Sequence, residues 1–257
     1  MAFSNDTKNE ILEYCNRDLP NDDWYESTFD FIKDEDLKDR IIREFKSVRF
    51  AYKLYEGISA EDENLVFQIR NQILAYASIY EAVIENVLLT YYSNSPEYND
   101  LIHHIVPVRV SIPNNKTETL EKLLSHNGEK ITPYTFKRKT KEKSQIRFDD
   151  KCDTAYKIGL IPPIEKPNGE IVDLCEEIKE IYSFRNGIHL IAEQRKGIEY
   201  ELELSKKAYR RMNPFIERIK NKLIRDGKYS LKWKYNYEVS VQLFSVKAPV
   251  NKSILLW

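Results

Sequence analysis

The segment 62–92, "DENLVFQIRNQILAYASIYEAVIENVLLTYY", decides the fold class of this chain. Its spacing predicts one long helix that is apolar on most sides in its second half. Neighbours must cover such a helix all round, so we expect it in the middle of a helical bundle. The chain has only seven glycines, which also favours helices over a many-turned β architecture.

Three other segments have helical spacing. Residues 23–57 form one helix, or two with a break near Asp34. A further helix is predicted from about Ile171 to Leu190, after the breaker-rich "PPIEKPNGE". The last covers about 205–225, ends near Gly227 and carries a basic face.

The remaining segments are less regular. Residues 103–113, "HHIVPVRVSIP", predict a short strand or an extended loop, and 130–148 predict a basic hairpin or a mobile loop. Polar and apolar residues alternate from Leu231 to Val246, which is strand-like and suits pairing with 105–112. We therefore predict a mainly α fold: a helical bundle with a small extended or β insertion and a C-terminal β-like tail.

The predicted organisation has three parts along the chain. An acidic helical segment, 1–61, packs on the bundle. The helical domain proper covers 62–228 and contains the basic insertion at 130–148. Residues 229–257 form an extended tail.

The composition is that of a soluble globular protein, with 42% hydrophobic and 32% charged residues. No uninterrupted apolar run reaches the roughly 18 residues typical of a membrane span. The N-terminus lacks a basic-then-apolar signal pattern, so we expect a cytoplasmic protein that does not enter a membrane. Three widely spaced cysteines without a CxxC pair argue against disulfides and a thiolate zinc site, and we expect neither a metal nor another cofactor.

Charge is distributed unevenly along the chain. Residues 1–40 hold twelve Asp/Glu against five Lys/Arg, whereas 205–234 hold eleven Lys/Arg against two acids, and 137–147 hold six basic residues and one acid. Such separation suits a polyanion partner for the basic face. It equally suits an acidic arm that folds onto that face, or two ordinary solvated surfaces.

If the partner is RNA, the two basic segments supply its backbone contacts. The candidate RNA-binding residues are Lys137, Arg138, Lys139, Lys206, Lys207, Arg210 and Arg211. Aromatic residues near the basic tail, Tyr229, Trp233 and Tyr235, are candidates for stacking on bases or for packing of the tail.

The stretch "YSFRNGIHL", 182–190, holds the candidate catalytic residues. Arg185 and His189 are four residues apart and share one face of a helix, with Tyr182 one turn earlier. Asn186 and Gly187 are poor residues for a helix interior, so either function placed them there or they mark the end of the helix. An ion pair or a plain surface position is the alternative for the Arg/His pair.

This pair has the chemistry for metal-free RNA cleavage. Arginine grips a phosphate with a planar fork of donors, and histidine exchanges a proton near neutral pH. Only RNA has a 2′-hydroxyl beside the scissile phosphate. Cleavage needs an acid as well as a base, and a two-fold dimer would bring two such histidines together.

Several pieces together resemble the HEPN superfamily (higher eukaryotes and prokaryotes nucleotide-binding), whose catalytic members are metal-independent endoribonucleases. "YSFRNGIHL" is similar to the family's RN…H signature. Residues 76–88 resemble its early core helix, with Ser78 followed three residues later by Glu81. Residues 146–162 resemble the segment before the signature helix.

The resemblance implies an active site of Arg185 and His189, with Asn186 orienting the pair. It implies a homodimer with a composite site and a 2′,3′-cyclic phosphate product. It also implies a role similar to that of toxins and effectors in bacterial anti-phage and abortive-infection systems, many of which are restrained by an antitoxin or another partner protein.

The chain departs from the family pattern at two positions. Only three residues separate Arg185 from His189, where four to six are usual, and Ile191 stands where some members carry a modified tyrosine. The short spacing supports a competing hypothesis, a non-catalytic RNA-, nucleotide- or protein-binding module. A plain structural helical domain is the third.

Two carboxylates lie in the most apolar helix, and burial makes unpaired carboxylates costly. We therefore expect Glu81 or Glu85 to meet a cation, and hypothesise that Glu81 orients Arg185. A polar strip or a dimer surface is the alternative location for both.

Overall fold

The computed structural model of the chain describes residues 3–123, 125–127, 129–130, 133–166, 168–187 and 199–230. The helices in these ranges are α1 (Asn5–Asn16), α2 (Asp22–Thr28), α3 (Glu35–Gly57), α4 (Asp62–Tyr92), α5 (Pro96–Leu101), α6 (Asn114–Leu123), α7 (Phe148–Ile158), α8 (Leu174–Asn186), α9 (Leu202–Arg210) and α10 (Met212–Arg225). The strands are β1 (His103–Arg109), β2 (Ser125–His126), β3 (Glu129–Lys130), β4 (Tyr134–Thr140), β5 (Ile164–Glu165) and β6 (Ile171–Val172). The predicted mainly α fold with small β insertions is confirmed.

Helix α4 is the centre of the bundle, as its apolar sequence predicts. α3, α7, α8 and α9 all pack against it. From Ile79 to Leu88 its apolar side chains other than Ala82 are almost fully buried, and Tyr80 donates a hydrogen bond to the carbonyl oxygen of Ala208, 2.7 Å away. The helix is long and apolar enough to cross a membrane, but 56% of its apolar window is buried within the protein. This burial is typical of the core helix of a soluble protein.

Asp34 divides the first predicted helix into two. Its side chain accepts a hydrogen bond from the backbone N–H of Leu37 at 3.1 Å, and so caps the start of α3. The connection from α2 remains in the core because Phe29, Phe31 and Ile32 are almost completely buried. Of the two alternatives left open by the sequence, the break near Asp34 is confirmed.

The acidic N-terminal segment packs on the rest of the chain. α1 contacts α3, and the hydroxyl of Tyr14 donates a hydrogen bond to Glu56 at 3.1 Å. Asp30, just before α3, forms an ion pair with Lys220 of α10 at 2.8 Å. In this ion pair, an acid of the acidic segment 1–40 contacts a lysine of the basic segment 205–234 in the same chain.

The strand-like segment at 103–113 forms a strand, β1, that pairs with β4 of the basic segment. β1 forms an antiparallel ladder with β4, in which His103 lies opposite Thr140 and Arg109 opposite Tyr134. A strand has two edges, so this ladder does not test the pairing predicted between β1 and the C-terminal tail, which stays a prediction. The tail itself, 231–257, lies outside the described residues.

Two predicted helices have different bounds in the structure. The helix predicted from Ile171 starts at Leu174, because Ile171 and Val172 pair with β5 and Asp173 caps the helix. The basic helix predicted at 205–225 is two helices, α9 and α10, separated at Arg211. Pro214 accounts for the division, since a proline is tolerated in the first turn of a helix and breaks a continuous one.

The segment before α8 is a helix followed by an apolar stretch. α7 ends at Gly159, whose positive φ of 84° favours glycine, and the chain then buries Leu160 and Ile161. This turn brings α7 and α8 side by side against α4. The three helices converge on the candidate site.

Candidate functional site

The side chains of Arg185, Glu81 and Tyr182 form a closed hydrogen-bonded cluster. Arg185 Nη1 donates to Glu81 Oε2 at 2.7 Å and to Tyr182 Oη at 2.7 Å. Tyr182 Oη donates in turn to Glu81 Oε1 at 3.1 Å. The guanidinium carbon also lies 5.0 Å from the centre of the Tyr182 ring. The contact that we hypothesised between Glu81 and Arg185 is present, whereas its orienting role in catalysis remains a prediction.

Three helices position this cluster. Glu81 comes from the middle of α4, and Tyr182 and Arg185 lie one turn apart on α8. Ile178 and Ile181 lie on the same face of α8, one turn before Tyr182 and Arg185; they are fully buried and fix the rotation of the helix. From α7, the ring of Phe148 stacks on Tyr182 with 4.0 Å between ring centres and 28° between planes.

The cluster is partly accessible to solvent. The Arg185 side chain is 29% exposed and the Glu81 side chain 27%. Burial raises the pKa of Tyr182, and the negative charge of Glu81 raises it further, so the phenol remains neutral and keeps its proton. Within the described ranges, the remaining N–H groups of the guanidinium have no hydrogen-bond acceptor. One edge of Arg185 can therefore bind a phosphate while Nη1 stays on Glu81.

Helix α8 ends one residue after Arg185. Asn186 is its last residue and is exposed, and the N–H of Gly187 donates to the carbonyl oxygen of Phe184 at 3.0 Å. These two residues mark the end of the helix, which is one of the two alternatives that we left open, and α8 therefore ends at Asn186 instead of the predicted Leu190. His189 lies outside the described residues, so its distance from Arg185 remains a prediction.

Glu85, one turn along α4 from Glu81, also meets a cation. It forms an ion pair with Lys151 of α7 at 2.5 Å, and the side chain of Glu85 is 57% exposed. Both acids of α4 that we singled out are thus paired, but the cost of burying a free carboxylate applies only to Glu81, since Glu85 is exposed.

Four of the candidate RNA-binding residues lie on α9 or directly after it, and all four form ion pairs. Lys206 and Arg210 contact Glu203 at 3.1 and 3.4 Å. Lys207 contacts Glu180 of α8 at 2.5 Å, and Arg211 forms two hydrogen bonds with Glu177, which raise its pKa. Part of the charge predicted for RNA contacts is therefore compensated within the chain.

The other three candidate RNA-binding residues lie on β4, whose side chains are exposed along its whole length. Lys137 and Lys139 share one face of the strand and Arg138 the other. Arg138 forms an exposed ion pair with Asp100 at 2.9 Å. Lys137 and Lys139 form no ion pair within the described ranges.

Sequence reasoning missed a cavity of about 420 Å³ between α3, α4 and α9. Its walls include Arg49, Tyr52, Gln72, Tyr76, Tyr209 and Arg210. Arg49 and Tyr52 are three residues apart on α3, and Gln72 and Tyr76 are four residues apart on α4, so each pair shares one face of its helix. The sequence does not show that these two faces meet, since the helices come together from distant parts of the chain.

One group of potential metal ligands occurs in the part of the chain that the structure describes. Ligand atoms of Asp153, Cys175 and Glu176 lie within 4.8 Å of one another. The ammonium group of Lys179 already contacts both carboxylates, at 2.5 and 2.7 Å. Burial raises the pKa of Cys175 to about 12, which keeps its thiol protonated. This group is thus an ion-pair cluster, and we assign no metal to it.

Comparisons of the chain with protein-family models, curated proteins and solved structures find no match. The function is therefore argued from the residues and their geometry.

Proposed function

We propose that this chain is a metal-independent endoribonuclease of the HEPN type. The observation that supports the proposal is the cluster at the end of α8. Glu81 and Tyr182 hold Arg185 at a partly exposed position, four residues before His189. A held guanidinium with a free edge is suited to binding the scissile phosphate in a fixed orientation.

The reaction follows from the chemistry of the two side chains. His189 removes the proton of the 2′-hydroxyl, and the 2′-oxygen forms a bond to phosphorus. The bond from phosphorus to the 5′-oxygen breaks, and that oxygen takes a proton from a second imidazole. The products are a 2′,3′-cyclic phosphate and a 5′-hydroxyl. Arg185 compensates the charge that develops on the phosphate oxygens.

One chain carries one such histidine, so the proposal includes a homodimer. A two-fold axis beside the end of α8 would place His189 of each copy near the same phosphate. The enzyme would act in the cytoplasm, as an effector or toxin of a bacterial defence system under the control of an antitoxin or another partner protein.

A cleavage assay in EDTA tests this proposal. The chelator removes divalent ions, so the assay reports only cleavage that needs no metal. We expect wild type to cut RNA, and Arg185→Ala and His189→Ala each to lose activity by about 100-fold or more. Arg185→Lys keeps the charge without the planar fork and should recover only part of the activity.

Lys151→Ala is the matched control, since it removes the cation that pairs with Glu85, one turn from Glu81 on α4. It should cut RNA like wild type. Equal cleavage by wild type, Arg185→Ala and His189→Ala would contradict the proposal.

The second candidate function is a non-catalytic RNA- or protein-binding module. Its support is the ion pair itself: Glu81 compensates the charge of Arg185, and both side chains form hydrogen bonds with Tyr182, whose ring stacks on Phe148. If the role of Arg185 is purely structural, Arg185→Ala should bind RNA like wild type and lower only the stability of the fold. Unchanged RNA affinity in that variant, with no cleavage by wild type, would favour the module.

A further inference from the structure

The cavity between α3, α4 and α9 is lined mostly by positive charge. Arg49, Lys53, Lys206 and Arg210 contribute cations to its walls, and Asp18 contributes one carboxylate. Glu56 pairs with Lys53, and Glu203 pairs with the two cations of α9. Even with these acids counted, cations are in excess, so the cavity favours an anionic ligand.

Arg49 is the cation best placed to meet that ligand. Its guanidinium lies over the ring of Tyr209, 4.9 Å from the ring centre, which holds it in one orientation. No carboxylate of the described ranges forms an ion pair with it. A stacked guanidinium without an acid keeps its donors for a phosphate or carboxylate oxygen.

The other walls of the cavity are aromatic. Tyr52, Tyr76 and Tyr209 line it, and the rings of Tyr76 and Tyr209 are 6.0 Å apart. Burial raises the pKa of both Tyr52 and Tyr76, so their hydroxyls remain neutral. Such walls suit a ligand with a flat ring, which they contact through their faces.

A buried amide provides the independent sign that the cavity holds a ligand. Gln72 lines it and is only 3% exposed. Its Nε2 has no hydrogen-bond partner in the part of the chain that the structure describes. An unsatisfied buried amide is costly, and it is usually paired in a functioning protein. A polar atom of a ligand in the cavity would supply that partner.

From these features the geometry points to a binding site for a small phosphorylated compound that carries a planar ring, of about the size of a mononucleotide. The ring lies against the tyrosines with a polar edge on Gln72, and the phosphate lies between Arg49 and the cations of α9. The volume of about 420 Å³ is within the usual range for such ligands.

The site is separate from the proposed nuclease cluster and does not depend on it. Gln72 and Glu81 are nine residues apart on α4, which is about 13 Å along the helix axis. The two sites can therefore be tested with different variants.

Isothermal titration of the full-length chain tests the site, with the four ribonucleoside monophosphates as probes at low salt. Inorganic phosphate alone and the free nucleosides serve as partial probes. We expect at least one monophosphate to bind in the micromolar to low millimolar range. Phosphate or nucleoside alone should bind at least about tenfold more weakly, because each lacks half of the contacts.

Three variants locate the binding. Arg210→Ala truncates a partly exposed side chain and leaves the core intact. Arg49→Lys keeps the positive charge but removes the planar guanidinium. Each variant should bind the monophosphate about tenfold more weakly than wild type. Gln72→Leu should weaken binding but raise the melting temperature of the free protein by a few degrees, because it removes an unsatisfied buried amide.

Lys157→Ala is the control and should bind like wild type, because Lys157 is exposed on α7 and does not line the cavity. Failure of all four monophosphates to bind at millimolar concentration would overturn the inference. Equal binding by wild type, Arg49→Lys and Arg210→Ala would overturn it as well, since the ligand would then lie elsewhere.

Discussion

At the scale of single residues, the structure connects an acid in the most apolar helix with an arginine 104 residues later. The sequence suggested this contact for a general reason: a carboxylate in a buried helix needs a cation. It could not suggest that Tyr182 would bridge the two, because the direction of a phenol depends on packing against Phe148. His189 remains a prediction at this scale.

Removing the charge of Glu81 should destabilise the fold moderately. Glu81→Gln leaves Arg185 without its carboxylate at a partly exposed position, and we expect the free energy of unfolding to fall by about 1–2 kcal/mol. Urea denaturation measures this difference. Glu85→Gln is the control, since its ion pair is more exposed and should contribute about 0.5 kcal/mol or less. A larger loss in the control than in Glu81→Gln would mean that the cluster is not what holds α8 on α4.

At the scale of elements, the sequence predicted a helix or strand correctly where the pattern within that one segment determines it. α4 has the predicted bounds because its apolar residues keep helical spacing along the whole segment and no proline interrupts them. The division between α9 and α10 was missed because Pro214 lies within an otherwise regular amphipathic pattern. The partner of β1 was missed because β4 carries charges on both faces, so its sequence has no strand-like alternation.

The N-cap of α8 should have a measurable effect on stability. Asp173 accepts a hydrogen bond from the backbone N–H of Glu176 at 3.1 Å. Asp173→Ala should therefore lower the free energy of unfolding by about 1 kcal/mol. Glu61 precedes α4 without a capping hydrogen bond from its side chain, so Glu61→Ala should cost about 0.5 kcal/mol or less. Equal losses in the two variants would contradict the assigned cap.

The two basic elements should contribute unequally to RNA binding. Lys137 and Lys139 are exposed and outside any described ion pair, whereas Lys206 and Lys207 already contact Glu203 and Glu180. The double change to alanine on β4 should reduce the slope of log affinity against log salt by about 1 or more, since each phosphate contact contributes about 0.7 for single strands. The double change of Lys206 and Lys207 on α9 to alanine should reduce this slope less. The reverse order, measured by fluorescence anisotropy across a salt series, would show that α9 is the main RNA contact.

At the scale of the whole molecule, burial of ionisable groups makes the fold sensitive to alkali. Burial raises the pKa of Cys175 from 9.0 to about 12, and it also raises the pKa of Tyr76 and Tyr80. In the unfolded chain these groups lose their protons near their ordinary values. The free energy of unfolding should therefore be constant up to about pH 9 and fall between about pH 9 and pH 12.

Urea denaturation at a series of alkaline pH values measures this fall, and Cys175→Ala should make it less steep. A free energy of unfolding that stays constant to about pH 11 would contradict the burial of these groups.

The measurement that tests the proposed function most directly is the end-group chemistry of RNA incubated with the full-length protein in EDTA. We expect fragments with a 2′,3′-cyclic phosphate at one new end and a 5′-hydroxyl at the other, formed by wild type and not by His189→Ala. Intact RNA, or fragments with 3′-hydroxyl ends, would show that Arg185 and His189 do not form the metal-independent nuclease site proposed for this chain.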